Sequence, residues 1–136
     1  MKARSSLSLI RAVRIFAALS VVALAGACGS SSNNPPAADT ITISNYSFSP
    51  TNLSVAPGAA VTVVNTDSVS HSVTSQSVTG AFVSGAVAGV SFDTGVFSGT
   101  RTFVISSSAA VGTVIPYFCS NHTSMMGQGQ ITVVAP

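Results

Sequence analysis

The chain has 136 residues, of which 46% are hydrophobic and only 6% charged, with a mean hydropathy of +0.57. Its formal charge of +2 is set by Lys2, Arg4, Arg11 and Arg14; from residue 28 onward Arg101 faces Asp39, Asp67 and Asp93, a net charge of about −2. These figures exclude two full domains, a basic face for nucleic acid and strong long-range steering of a charged partner.

The four N-terminal basic residues precede an apolar run at 15–25, which has the charge and length of a secretory signal and is short for a membrane span. Leu24-Ala-Gly-Ala-Cys28 resembles a bacterial lipobox, in which cleavage before Cys28 leaves a thiol for lipidation. Ala25-Gly-Ala27 equally satisfies an ordinary signal peptidase site. The lipoprotein reading makes residues 1–27 a signal peptide and Cys28 a lipid anchor, and Gly29 in place of an aspartate points it to the outer membrane. Both readings expect an exported bacterial protein on the periplasmic side. Residues 28–39 are rich in Gly, Ser, Asn and Pro without apolar periodicity, the composition of a flexible tether.

From Thr40 the pattern becomes that of strands. Thr40-Ile-Thr-Ile43 alternates, Tyr46-Ser-Phe48 leads into Leu53-Ser-Val55, and Pro57-Gly58 marks a turn before Val61-Thr-Val-Val64. His71-Ser-Val73-Thr, Thr102-Phe-Val-Ile105, Val114-Ile-Pro-Tyr-Phe118 and Gln130-Ile-Thr-Val-Val134 follow the same grammar. No amphipathic helix of useful length is present. Residues 75–98, with Phe82, Phe92 and Phe97 among Gly, Ser, Val and Ala, are weakly patterned, and the first half reads as a loop or a short helical turn packed on the outside. About seven or eight strands in residues 40–136 predict one all-β domain, a Greek-key β-sandwich.

The chemistry is concentrated in residues 116–129, Pro-Tyr-Phe-Cys-Ser-Asn-His-Thr-Ser-Met-Met-Gly-Gln-Gly. Cys119 and His122 stand three apart, and Met125 and Met126 follow at once, so one loop can turn a thiol, an imidazole and a thioether onto one ion. One thiolate, two imidazoles and a weak thioether suit copper cycling between two oxidation states. The second imidazole must be His71, the only other histidine. Taken singly, each has an ordinary reading: Cys119 as an inert core thiol, His71 as a satisfied core residue, a methionine as filler. If Cys28 is lipidated, however, Cys119 is a lone thiol in an oxidising compartment, a liability unless a metal holds it.

These residues resemble the cupredoxins, the small blue copper proteins that include plastocyanin, amicyanin, pseudoazurin and azurin. The resemblance rests on Asn65-Thr-Asp67…His71 and on Tyr117-Phe-Cys119-Ser-Asn-His122…Met126…Gly129-Gln-Ile131-Thr-Val133, and it covers residues 40–136. It implies a cupredoxin-like sandwich with one type 1 copper held by His71, Cys119, His122 and Met126. Met125 is the alternative axial ligand, because the loop contains both family spacings. Ser72 departs from the family, whose best-known members carry an asparagine there that ties the two ligand loops together. The second half of the weakly patterned region, Phe92 to Phe103, resembles a family segment of strand and turn leading back into the sheet.

The expected function is one-electron transfer through Cu(II)/Cu(I), with no enzymatic activity, since three strong ligands and a thioether leave no position for substrate. The alternative is a periplasmic copper carrier or storage protein, against which stands the absence of a Met-rich tract. A metal-free adhesion module would have no reason to hold all four ligand types, and a binuclear centre would need a second cysteine in the loop. Expected partners are c-type cytochromes or a terminal oxidase or reductase, met by a monomer through an apolar patch around His122, with Met125, Gly127 and Pro116 as its rim.

Overall fold

The computed structural model describes residues 39–136. The expected signal peptide, the expected lipidation at Cys28 and the expected tether as far as residue 38 fall outside the described residues.

Eight strands form two four-stranded sheets: β1 (Thr40–Ser44), β2 (Ser47–Ser49), β3 (Asn52–Val55), β4 (Ala60–Asn65), β5 (Thr74–Ser75), β6 (Gly99–Val104), β7 (Val114–Phe118) and β8 (Gly129–Val133). The first sheet has the order β2-β1-β4-β6 and the second β3-β8-β7-β5. Two pairings are parallel, β1 with β4 and β3 with β8, and the others are antiparallel. Among the described residues there is no helix. The sandwich and its strand number are as the alternation predicts.

The period-2 pattern explains which side chains meet between the sheets. Ile41 and Ile43 of β1, Val61 and Val63 of β4, and Phe103 of β6 face Ile115 and Tyr117 of β7 and Ile131 and Val133 of β8; all are buried. Aromatic rings lock this interior, with Phe48 edge-on to Tyr117 at 4.9 Å and Phe92 stacked on Phe103 at 4.3 Å between centroids.

The structure departs from expectation in two places. The strand read from His71 to Thr74 shrinks to Thr74–Ser75, because the backbone of His71 is taken by Phe97 in a reciprocal pair, N–H to C=O, at 3.0 and 2.8 Å. The first half of residues 75–98 is also more than an outer loop or helical turn, since Val90 is buried in the core, as are Phe92 and Phe97 in the half read as strand and turn. The segment runs on along the β5 edge of β7, where the Gln76 backbone amide donates to the Pro116 carbonyl and Phe82 packs edge-on to Phe118 at 5.9 Å. Pro116 is buried there, so it is not part of an exposed rim.

Gly129, the first residue of β8, lies directly opposite Tyr117 on β7. A methyl group on Gly129 would fall inside the Tyr117 ring. Gly129→Ala is therefore expected to destabilise the fold by about 2 kcal/mol through overpacking. A denaturant midpoint equal to that of wild type would contradict this packing.

Candidate metal centre

The site lies where β7 runs out. Cys119 follows its last residue, and the connection to β8 carries His122, Met125 and Met126. Backbone bonds wind this loop tightly: the His122 amide donates to the Cys119 carbonyl at 3.2 Å, and the Met125 and Met126 amides both donate to the His122 carbonyl at 3.1 and 2.9 Å. His71 arrives from the connection between β4 and β5. Asn65 shapes that connection, its Nδ2 donating to the carbonyls of Val69 and Phe97 and its Oδ1 accepting the Asp67 amide.

The sulfur of Cys119 is 3.7 Å from Nδ1 of His71 and 3.5 Å from Nδ1 of His122, and the three donor atoms lie within 4.8 Å of one another. Cys119 and His71 are buried and His122 is half-buried. Donors bound to one first-row ion at about 2.0–2.3 Å and spread around it in a plane stand about 3.6 Å apart, so these three fit a single ion. The two methionines differ sharply: Met126 is 5% exposed and belongs to the buried cluster that includes Cys119, whereas Met125 is 65% exposed.

Residues 37–134 match the family described as copper binding proteins, plastocyanin/azurin family. The chain belongs to this family. Among solved structures, a purple cupredoxin from Nitrosopumilus maritimus is 29% identical over 69% of this chain and 97% of its own, with a TM-score of 0.52. A mutant plastocyanin of fern is 20% identical over 69% of this chain and 98% of its own, TM-score 0.50. A copper-containing nitrite reductase from Thermus scotoductus SA-01 is 24% identical over 71% of this chain and 22% of its own, TM-score 0.52, a likeness of fold alone. No curated protein matches the sequence. For a cupredoxin, a soft sulfur and two imidazole nitrogens converging at this separation form a type 1 copper site, and copper is the cofactor the donors fit.

Around these donors lies a shell that the sequence marks only in part. Ser72, in the place of the expected asparagine, does tie the ligand segments: its Oγ accepts the Ser120 amide at 2.8 Å and sits 2.9 Å from Ser120 Oγ. Its amide donates to Cys119 Sγ at 3.3 Å. Thr74, 3.1 Å from Ser72 Oγ, donates onward to Asp93. On the other side of the loop, Gln128 Oε1 accepts from Gln76 Nε2 and from the Gly80 amide, which fastens residues 76–80 to the ligand loop.

Asp67 was legible as a turn residue and proves to be more. Its Oδ2 lies 2.9 Å from Nε2 of His71. The carboxylate can only accept, so it places the proton on Nε2 and leaves Nδ1 to face Cys119. The amide of Tyr46, then that of Asn45 and the His71 ring, hold the Asp67 carboxyl below its ordinary value, against a partial opposing effect of desolvation. Tyr46 itself lies edge-on to both ligand imidazoles. Neither contact is signalled by the sequence, since a four-residue separation brings side chains together only on a helix and the stretch from Asp67 to His71 is a loop.

Asp67→Asn should weaken copper binding at least about tenfold, as loss of a histidine's carboxylate partner does elsewhere. The metal-free protein provides a separate check. A carboxyl whose value falls on folding contributes its full stability above the unfolded value of 3.8 and loses it as pH drops through the lower folded value. The stability curves of wild type and Asp67→Asn should thus differ at neutral pH and converge in acid, and a gap independent of pH would rule out the carboxylate's charge as its source.

Proposed function

We propose that this cupredoxin is an exported one-electron carrier, with copper held by His71, Cys119, His122 and, axially, Met126. The observation that carries the reading is the convergence of Nδ1 of His71, Nδ1 of His122 and Sγ of Cys119, two of the three residues being buried. When bound, copper supplies the Cu(II)/Cu(I) couple. The protein supplies constancy: ligand segments tied through Ser72 and Ser120 and a ring oriented by Asp67 present the same donors to both oxidation states. The Ser72 amide, aimed at the sulfur, tunes the potential of the couple. Burial supports Met126 as the axial thioether and leaves Met125 as a surface residue.

Three protein donors and a thioether leave no open position for substrate, which favours a carrier over an enzyme. The burial of His71 and Cys119 disfavours a delivery protein, whose donors a recipient must reach. His122, half-buried in the loop, is the route for the electron to the surface, where Met125 and Gly127 are exposed. Residues 116–129 contain no charged side chain, so docking relies on short-range apolar contact and not on ion pairs. Partners of this kind are c-type cytochromes or a terminal oxidase or reductase, approached by a monomer. The lipobox-like sequence supports attachment through Cys28 to the periplasmic face of the outer membrane, with residues 28–39 as tether.

Adding Cu(II) to the protein should give intense visible absorption from thiolate-to-copper charge transfer, and Cys119→Ser should abolish the band while far-UV circular dichroism stays that of a β-sandwich. Met126→Leu should shift the band and Met125→Leu should not. A colourless wild-type protein would defeat the reading. For the anchor, Cys28→Ser should move the protein from washed membranes to the soluble fraction with the copper spectrum intact; retention in the membranes would show that Cys28 is not the attachment point.

A further inference from the structure

The hairpin between β1 and β2 turns through Asn45 and Tyr46, with Ser44 paired to Ser47. Both turn residues are left-handed, with φ of 51° and 57°. Two-residue turns of this hand favour Asn followed by Gly. Asn45 suits its place, but a tyrosine at the second position carries a steric cost that glycine would avoid. A side chain held in such a backbone region points to a demand outside the turn.

The demand lies at the metal centre. The Tyr46 ring centroid is 5.2 Å from that of His71 and 5.1 Å from that of His122, with interplanar angles of 87° and 86°. One ring thus meets both imidazoles in the perpendicular arrangement that aromatic pairs favour. A single carboxylate sets the geometry, since Asp67 accepts the Tyr46 amide at 3.0 Å and lies 2.9 Å from the His71 ring nitrogen. His71 is fully buried with the half-buried Tyr46 ring against it, so on this flank that ring is part of what shields the imidazole.

We propose that Tyr46 is a positioning residue that clamps the two imidazole donors and closes this flank of the copper centre to water and small anions. The inference rests on the copper-carrier reading of the site. Neither ring can swing outward, and no further ligand can enter from this side, without displacing Tyr46 from a turn already fixed by Asp67.

The test uses the copper-loaded protein with Tyr46→Phe, Tyr46→Gly and Tyr46→Asn. Glycine and asparagine both accept a left-handed φ, so either deletes the ring without straining the turn, and the second serves if the first does not fold. Wild type and Tyr46→Phe should show no spectral change with azide and should release copper to a chelator at similar rates. The two ring-deleted variants should change colour with azide and release copper at least about tenfold faster. A purely structural role for Tyr46 would lower the unfolding temperature and leave both readouts unmoved, which would overturn the clamp. So would azide binding by wild type, or a Tyr46→Phe variant that behaves like the glycine variant. Failure of wild type to take up copper would overturn the carrier reading and the clamp together, whereas coloured wild type with unaffected variants would overturn the clamp alone.

Discussion

The structure depends on joining two segments that are distant in the chain, and Ser72 fixes the join. Its hydroxyl binds the backbone and side chain of Ser120 while its amide points at the sulfur of Cys119. The β5–β7 pairing, Thr74 with Phe118, brings the two segments side by side, and the Ser72 link fixes how His71 and Cys119 meet there. Without that link, the two sheets would still pack around Ile41, Val63, Ile115 and Ile131, but nothing in that apolar interior specifies where an imidazole sits relative to a thiol. Hydrophobic burial is non-directional; the strand ladders fix the register of the sheets, and a few polar side-chain contacts at one end fix the donors.

Those contacts form a nested arrangement. Asp67 orients His71 and fixes the β1–β2 turn, Gln128 binds both Gln76 and Gly80, and Thr74 extends the Ser72 link to Asp93. No buried side-chain nitrogen or oxygen among the described residues lacks a hydrogen-bond partner. A fully satisfied polar network in a low-dielectric setting is rigid, and rigidity is what a site needs if electron transfer is to require little rearrangement.

Much of this was legible in the sequence because it obeys short periods. The alternation in Thr40–Ser44, Ala60–Asn65 and Gly129–Val133 declares both the strands and their buried faces, and the soft donors after Phe118 are too concentrated to overlook. His71 read as part of a longer strand because Ser72-Val73-Thr74 has the right residue types; its backbone partner, Phe97, lies in a stretch whose pairings are single bridges with no period. The first half of residues 75–98 carries little signal for the same reason, since it is held by side-chain-to-backbone bonds such as Ser75 Oγ to the Gly85 carbonyl. Tyr46 was read only as a strand residue. Its contacts with His71 and His122 cross the whole sandwich in sequence, and its turn hides behind a residue that such turns seldom use.

The order of strands in the second sheet determines when the centre can exist. β3 has β8 as its neighbour and β5 has β7, so neither early strand finds its sheet partner until the last quarter of the chain is present. The first sheet, by contrast, is complete with β6. The first sheet by itself gives the site no enclosure, because Cys119 and the loop that carries His122 are held by β7 and β8 of the second. Closing the second sheet brings in long-range pairings whose loop entropy must be overcome together. Cys119 and His122 stand beside and between those last two strands, so they meet His71 only when the second sheet is closed, which makes metal acquisition a property of the completed fold.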